Sequence, residues 1–338
     1  MKKFYLIGMA VLLAFPAHGR EVTKAGTTSA TFLNIDQGAR GVGMGSAFVS
    51  VVDDISGTYW NPAGIARMKG GQASFSNTQW IADIAYNHAA VAVPMGGVGT
   101  LGVSAQFLTM GDMDRTTTME PEGTGETFSA GSYAFVLSYG RNLTDRFSIG
   151  FNAKYVQEKI FHMNARGVAF DVGTLFDTQL EGLRLGMSIS NYGTKMQMSG
   201  QDALVQKDID ATVSGNNPNI NANLQTDKWD MPLLFRVGMS VDVLKGLYDS
   251  NLTLAVDALH PNDDVESVNV GAEYVFHDMV ALRAGYKSLF AKDSEEGLTF
   301  GGGVKYRMFG ASSLVLDYAW ADFGVLKEIQ KFSIGLTF

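Results

Sequence analysis

From Gly71 to the C-terminus, bulky apolar residues alternate with small or polar ones in segments of about nine to twelve residues. In the last segment the apolar members are spaced two apart: Phe332, Ile334, Leu336 and Phe338. Alternation of this kind is typical of a β-strand with one apolar face. The pattern predicts about 14 strands, within the spans 72–80, 83–93, 98–109, 127–141, 146–159, 166–176, 183–191, 231–243, 251–260, 265–276, 279–290, 297–307, 312–322 and 330–338.

The connections between these strands alternate in length. Tight links fall at every second junction, whereas the two long connections, 110–126 and 192–230, belong to the other set. An even strand number with short turns at one end predicts an all-β protein, a transmembrane antiparallel β-barrel of the bacterial outer membrane. Trp80, Trp229 and Trp320 lie at the predicted outer ends, where we expect an aromatic girdle; core packing in a soluble β protein is the alternative.

The first residues have the features of a secretory signal peptide. Lys2 and Lys3 precede an apolar run of about twelve residues, too short for the ~20 that a spanning helix needs, and Ala17-His18-Gly19 fits a cleavage site. We therefore expect a signal peptide at 1–19, an N-terminal segment at 20–70 and a barrel at 71–338. An uncleaved N-terminal anchor is the alternative.

Composition narrows the possible classes. Of 338 residues, 46% are hydrophobic, 18% are charged and 39 are glycine, and the net charge is −8. This balance is unlike that of disordered chains and does not favour a nucleic-acid partner. Because the chain has no cysteine, disulfides, Cys-bound metals and thiol catalysis are excluded. A lipid-facing surface explains the low charge.

Residues 20–70 lack the strand pattern. Asn61 is a good helix N-cap, Pro62 suits the first helical position, and Gly70-Gly71 can end a short helix after Met68. The run Gly41-x-Gly43-x-Gly45 is not read as a dinucleotide loop, because the chain shows no βαβ pattern.

The stretch 31–68 resembles the N-terminal signature of the PorV/PorQ family, which is related to FadL-type outer-membrane transporters of hydrophobic compounds. The signature combines a Gly-Ala-Arg run, a Met-Gly-x-Ala run, an Asp pair and Tyr-Trp-Asn-Pro-Ala-Gly. Its key positions in this chain are Gly38, Arg40, Gly43, Gly45, Asp53, Asp54, Trp60, Asn61, Pro62 and Gly64. The resemblance implies that residues 20–70 form a hatch, with its short helix, inside the barrel lumen.

The strand pattern supports a plugged lumen independently. Many positions predicted to face inward are glycine: Gly150, Gly173, Gly186, Gly238, Gly271, Gly285, Gly301 and Gly303. Inward charges of both signs are also predicted: Lys154, Asp171, Arg236, Asp257, Glu273, Arg283, Lys287, Lys305 and Asp317. Buried charges need partners, and these can pair with each other and with Arg40, Asp53 and Asp54. An aqueous pore with hydrated charges is the alternative.

Catalytic chemistry finds no support in the sequence. The five histidines are scattered without metal-ligand spacing, and no G-x-S-x-G motif occurs. We therefore expect no enzyme activity, cofactor or metal. Two acidic outer loops, 262–266 and 293–296, are read as a solvated rim, with a divalent cation shared with lipopolysaccharide as the alternative. The terminal Phe338 strand resembles the insertion signal that the barrel-assembly machinery recognises.

Two functions stay open. The PorV/PorQ resemblance implies a component of type IX-like protein export, which engages the C-terminal domains of secreted cargo or an attachment complex at the outer face. The alternative is FadL-like transport of long-chain fatty acids or other hydrophobic small molecules. Transport would use an apolar pocket at the hatch, predicted at Phe48, Ile55, Tyr59, Trp60 and Ile65. The long connection 192–230 is read either as a cover or partner site at the mouth, or as a mobile loop.

Overall fold

The computed structural model describes residues 25–338, apart from 181, 211, 213, 214, 216, 218, 245–248, 292, 293, 309 and 311. The predicted signal peptide at 1–19 lies outside the described residues. As the alternation predicted, 14 antiparallel strands form a closed barrel. They are β1 Gln72–Gln79, β2 Ala85–Pro94, β3 Thr100–Thr109, β4 Ala130–Asn142, β5 Phe147–Ile160, β6 Met163–Asp177, β7 Leu183–Gly193, β8 Leu234–Asp242, β9 Ser250–Pro261, β10 Ser267–Phe276, β11 Val280–Leu289, β12 Leu298–Arg307, β13 Ser313–Asp322 and β14 Glu328–Thr337.

The barrel closes between its first and last strands. β1 pairs with β14 from Gln72↔Thr337 to Gln79↔Gln330, and the other ladders join strands that are consecutive in the barrel. The ladders from β1 to β4 run in continuous register, whereas register shifts occur between β6 and β7 and between β10 and β11. The wall is therefore hydrogen-bonded around its whole circumference.

The two faces of each strand meet different surroundings. On β5, Asn152 and Lys154 are buried toward the lumen, while Phe151 and Tyr155 are 44% and 41% exposed on the outside. An outward apolar face meets lipid, and an inward face with polar residues fits a filled lumen. No described helix is long and apolar enough to cross a membrane.

The two ends of the barrel differ as predicted. The short turns, such as Pro94 to Thr100, define the periplasmic end, and the long connections define the outer end. The connection between β7 and β8 is folded, with paired segments Met196–Gln197/Lys228–Trp229 and Leu204–Lys207/Ile220–Asn223 and a 3₁₀ turn at Gln201–Ala203. Its Met196 and Met231 are buried in a cluster at the mouth. Near the barrel wall, the connection therefore packs over the mouth, as the first of the two interpretations predicted.

The N-terminal segment descends through the lumen. Ser29 donates its backbone N–H to Asp230 at the outer mouth, and the chain reaches the periplasmic end where β1 begins. On the way it forms a 3₁₀ turn at Thr31–Asn34, helix α1 at Ala39–Gly43, helix α2 at Gly57–Trp60 and a 3₁₀ helix at Pro62–Arg67. The last of these confirms the predicted short helix, because the Asn61 side chain accepts from the Ala63 N–H and Pro62 follows the cap. We call residues 25–70 the hatch.

Glycines let the hatch backbone approach the wall. A Cβ at Gly150 would lie 2.1 Å from the carbonyl carbon of Pro62, and one at Gly271 would lie 2.0 Å from the Met44 carbonyl oxygen. The same close approach to the hatch recurs at further inward glycines: Gly140, Gly173, Gly186, Gly285 and Gly301. A side chain does not fit at these positions, which explains the inward glycines predicted from the strand pattern.

Candidate functional site

The glycine-rich part of the hatch motif forms helix α1 and the turn after it. Gly38 and Gly45 have positive φ values of 74° and 64°, a backbone conformation that glycine adopts without strain. A Cβ at Gly45 would lie 2.5 Å from the Val270 carbonyl oxygen, and one at Gly43 would lie 3.0 Å from the Cα of Gly301. These glycines therefore combine tight turning with contact against β10, β11 and β12.

Arg40 joins the hatch to the wall through charge. Its guanidinium lies 2.8 Å from Asp53 and 2.6 Å from Asp54 in the hatch, and 2.9 Å from Glu273 on β10. Glu273 also lies 2.6 Å from Arg283 on β11. The pairing predicted between hatch and wall charges is confirmed here.

Other inward charges are paired within the wall. Lys154 on β5 lies 2.8 Å from Asp171 on β6, and both side chains are almost fully buried. Arg283 reaches Asp317 at 2.6 Å, in space that the absence of a side chain at Gly303 leaves open. Pairing of this kind is what a dry, plugged lumen requires. It favours the plug over the hydrated pore at these positions.

Asp257 contacts the hatch differently. Its carboxylate accepts the backbone N–H groups of Phe48 and Val49 at 2.7 and 2.8 Å. One side chain of β9 thus accepts two backbone N–H groups of a hatch turn, and these two N–H groups have no acceptor within the hatch. The hatch is therefore held to the wall by hydrogen bonds from its backbone as well as by ion pairs.

The Trp-Asn-Pro-x-Gly part of the motif is buried between hatch and wall. The Trp60 indole donates to the Gln37 carbonyl at 2.9 Å, and the Asn61 amide donates to Val49 and to Thr174 on β6 at 2.8 and 3.0 Å. A Cβ at Gly64 would lie 2.8 Å from the Val52 side chain. These residues hold two turns of the hatch together and fix them to the barrel.

The five residues expected to line an apolar pocket are buried. Phe48, Tyr59 and Trp60 pack in one core cluster, with ring centroids 5.2 to 5.8 Å apart, whereas Ile55 and Ile65 pack in another against β2. Their side chains contact one another and the wall. A ligand pocket at these five residues stays a prediction, and the larger open spaces lie above and below them.

The first of these spaces is an outer cavity of about 470 Å³ above the hatch. Half of its lining residues are apolar, among them Phe32, Ile35, Trp80, Leu108, Phe323 and Ile329, and the other half are polar or charged. Trp80 therefore faces the mouth, with its ring 5.4 Å from Phe323, and the girdle position predicted for it is wrong. Trp320 does face outward and stacks on Phe300, and Trp229 is 45% exposed in the long connection.

Charges lie at the floor of this cavity. Asp36 of the hatch is 2.6 Å from Lys287 on β11, and Lys331 on β14 donates to the Asp36 backbone carbonyl. Burial by itself would raise the pKa of the Asp36 carboxyl, but the cations Lys287 and Arg236 more than offset this and hold that pKa at about 2. The carboxylate is therefore ionised at neutral pH and ties the hatch to the wall.

The second space is a vestibule of about 710 Å³ at the periplasmic end. Its lining includes charges of both signs: Arg40, Asp54, Arg67, Arg283, Lys305 and Arg307. Ile35 and Asp36 line the outer cavity, whereas Gln37 and Gly38 line the vestibule. Between these residues, a single extended segment of the hatch separates the two spaces.

The acidic outer loops are engaged in contacts within the chain. Asp263 accepts from Thr28 at 2.7 Å, Glu266 lies 2.8 Å from His260, and Glu296 pairs with Lys287 at 2.6 Å. Asp293 lies outside the described residues. Among residues 25–338 as described, no group of three or more acidic or histidine side chains is placed to hold a metal ion.

Comparison with known proteins supports the fold. No protein-family model and no curated protein sequence matches the chain. Among solved structures, the CymD monoaromatic hydrocarbon channel is 12% identical and covers 89% of this chain and 97% of its own, with a TM-score of 0.54. The toluene transporters TodX of Pseudomonas putida and TbuX of Ralstonia pickettii are each 11% identical and cover 89% of this chain and 96% and 97% of their own, with TM-scores of 0.54 and 0.52.

At these identities the likeness establishes the fold alone. The chain has the closed antiparallel β-barrel fold of these proteins. The matched proteins are described as channels or transporters. The PorV/PorQ resemblance rests on the hatch motif alone and stays a prediction.

Proposed function

We propose that this protein carries hydrophobic or amphipathic small molecules across the outer membrane. The outer cavity is the entry site, and the vestibule is the exit. The observation that carries the proposal is the outer cavity itself, because it combines aromatic and aliphatic residues with polar ones and is separated from the vestibule at Ile35–Gly38 by a single segment of the hatch.

The size and lining of the cavity support this function. Small-molecule sites typically measure ~300–1,000 Å³ and combine apolar walls with a few polar groups, and the outer cavity falls in that range at about 470 Å³. The proteins with a similar barrel are described as transporting toluene or monoaromatic hydrocarbons. Transport of hydrophobic compounds, given above as the alternative, therefore becomes the main proposal.

The ladder pattern supports an exit toward the periplasm. The ladders that join the strands around the outer cavity, from β11 through β14 and on from β1 to β5, have no register shift. The nearest shift lies at the edge of the cavity, between β10 and β11. A sideways exit through these strands would break backbone hydrogen bonds in lipid, where nothing replaces them. Displacing Ile35–Gly38 would instead join the two spaces and leave the wall intact.

Filling the outer cavity tests the proposal. Cells that make the wild-type barrel should take up radiolabelled toluene faster than cells without it, and Leu108→Trp should reduce the difference at least tenfold, because Leu108 faces the cavity and is 9% exposed. Leu137→Trp is the matched control, since Leu137 is 58% exposed on the outer surface. Equal uptake with and without the barrel, or full uptake by Leu108→Trp folded to the wild-type level, would overturn the proposal.

A role in protein export is the second candidate, favoured by the PorV/PorQ-like motif. Exposed apolar side chains on the outer loops offer contact points for a protein: Met119, Ile209 and Val325 are 88%, 75% and 82% exposed. The test is purification from detergent-solubilised outer membranes. Recovery of cargo C-terminal domains supports export, whereas co-purified hydrophobic compounds without a protein partner count against it.

A further inference from the structure

The inner face of β1 to β3 is polar where it meets the hatch. Ser76 on β1 is in register with His88 on β2, which is in register with Gln106 on β3. Two more inward residues extend this set: Thr78, the next inward position after Ser76 on β1, and Ser104, the one before Gln106 on β3. All five side chains are buried, with 1% to 6% of their surface exposed.

Four polar atoms of this set have no hydrogen-bond partner among the described residues: Ser76 Oγ, Thr78 Oγ1, His88 Nε2 and Ser104 Oγ. A buried polar group without a partner is destabilising. Unpaired atoms also occur on β7, at Ser188 and Ser190, but in the described part of the chain only here do four of them lie together on three adjacent strands beside both open spaces. Such a row is expected where water or the polar part of a passing molecule supplies the partners.

Beside this row the hatch meets the wall through side chains and not backbone against backbone. Ile55 and Ile65 pack on Ala90 and Ala92 of β2, and Gln72 of β1 accepts the Ile55 N–H. On β5, a Cβ at the inward Gly150 would meet hatch backbone at 2.1 Å. On β14, next to β1, a Cβ at the inward Gly335 would meet only Val315 of the wall, at 3.7 Å. On β3, a Cβ at Gly102 would have its nearest neighbours in Ala92 and Ser138, which are also wall residues.

The row also joins the two open spaces. Ser76 and His88 line the vestibule, and Lys331 lines the outer cavity. Thr78 is in register with Lys331 on one side and with Tyr86 on the other. One row of side chains, Thr78 and Tyr86, thus separates the vestibule from the outer cavity along this wall.

Tyr86 is the narrowest point of this route. Its side chain is fully buried, and its hydroxyl donates to Gln106 Oε1 at 3.2 Å. Its ring and that of Phe32 in the hatch pack edge to face, with their centroids 6.5 Å apart. A rotation of one tyrosine side chain, or a shift of Phe32 with the hatch, would open the row without breaking a strand ladder.

We propose that the inner face of β1–β3 is a polar corridor, gated by Tyr86, that connects the outer cavity to the vestibule. The corridor rests on the proposed transport function and sharpens its substrate class. A compound that follows this row exchanges hydrogen bonds with Ser76, Thr78 and His88, so the preferred cargo carries a polar or acidic group beside its apolar part.

Cysteine labelling tests the corridor directly, because the chain contains no cysteine. The single variants are Ser76→Cys, Thr78→Cys and Ser104→Cys in liposomes, and the probe is the small anionic thiol reagent sodium (2-sulfonatoethyl)methanethiosulfonate. Ser188→Cys is the matched control, since Ser188 is also inward, 2% exposed and unpaired, but lies on β7, where the hatch contacts the wall at Gly186. We expect all three corridor cysteines to react at least tenfold faster than the control.

The gate has its own variant. Tyr86→Ala should further increase the labelling rate of Thr78→Cys about tenfold and leave that of Ser188→Cys unchanged. Labelling of Thr78→Cys at the control rate, with or without Tyr86→Ala, would overturn the corridor. If Thr78→Cys reacts at the control rate while the wild-type barrel still takes up toluene, the corridor alone is rejected. If the corridor cysteines react fast but the wild-type barrel gives no toluene uptake, the transport function is rejected.

The substrate class is tested with a pair of probes. Thr78→Val removes the hydroxyl and keeps the shape of the side chain. In liposomes we expect it to slow benzoate flux at least threefold more than toluene flux, because benzoate carries the carboxylate that the row would bind. Equal effects on the two probes would contradict a polar cargo.

Discussion

The contact between Gly150 and the hatch provides the sharpest test of how the lumen is filled. In Gly150→Ala the new methyl group would lie 2.1 Å from the Pro62 carbonyl carbon and 2.3 Å from the Ala63 nitrogen. Both atoms belong to backbone at the start of the Pro62–Arg67 helix, which the Asn61 side chain caps. The clash therefore cannot be relieved by turning a flexible side chain, and the hatch must move away from β5.

The size of the effect follows from this geometry. Overpacking a close-packed interior typically costs ~1–3 kcal/mol, and a clash with backbone belongs at the upper end of that range. We expect Gly150→Ala to lose about 3 kcal/mol of unfolding free energy. Gly302→Ala is the control, because its Cβ would face the lipid side with the nearest atom at 3.8 Å.

Two measurements are needed, since the barrel and the hatch can respond separately. Unfolding of the purified protein in denaturant gives the stability difference between the two alanine variants. Protease sensitivity of the hatch in folded, membrane-inserted protein reports on its contact with the wall. If Gly150→Ala matches Gly302→Ala in both measurements, the hatch does not pack on β5 as described.

Three further predictions concern anchors of the hatch and barrel. Lys154→Met should lower the free energy of unfolding in denaturant by about 3–5 kcal/mol, because it leaves the buried Asp171 without its cation. The control Lys305→Met breaks a half-exposed pair at the periplasmic rim and should lower it by less than ~1 kcal/mol. Equal losses would contradict the burial of the first pair. Asn61→Asp should raise hatch protease sensitivity more than Asn61→Ala, because a carboxylate would face two carbonyl oxygens that the amide now satisfies, and the reverse order would show that these contacts are not made. Deleting Phe338 should lower the folded fraction in the outer membrane severalfold, as judged by heat-modifiable migration, and wild-type assembly would argue against a C-terminal insertion signal.

The barrel was predictable because each strand has its own signal. Period-2 alternation marks every wall segment, and the β14 residues Phe332, Ile334 and Leu336 face outward as expected. The N-terminal helix was predictable for a local reason as well, since Asn61 and Pro62 determine a cap without reference to the rest of the chain. Local rules succeed where the structure depends on neighbours in sequence.

The open spaces were not predictable in the same way. The outer cavity joins Phe32 of the hatch to Leu108 and Ile329, residues from three distant parts of the chain, and its shape depends on how far the hatch inserts. The pocket predicted at Trp60 and Phe48 stays a prediction; in the structure their aromatic rings pack against each other in the core. Met196 and Met231 gave no periodic signal, and their burial at the mouth appears only once the long connection folds back.

The angular arrangement of the inward residues decides where a passage can lie. On β4, β5 and β7, and again from β10 to β12, inward glycines bring the wall into contact with hatch backbone. On β6 and β8 the inward Gly173 and Gly238 contact hatch side chains. On β9, Asp257 fills the gap in this series by accepting two hatch N–H groups. From β14 to β3 the hatch meets the wall through side chains. Lys331 donates to the Asp36 carbonyl, and Gln72 accepts the Ile55 N–H. The inward Gly335 and Gly102 have only wall residues as neighbours. Opening on the glycine side would require moving backbone against backbone, whereas on the other side a rotation of Tyr86 suffices. The passage is therefore expected along β1–β3, and variants that add side chains on the glycine side should disturb stability before they disturb flux.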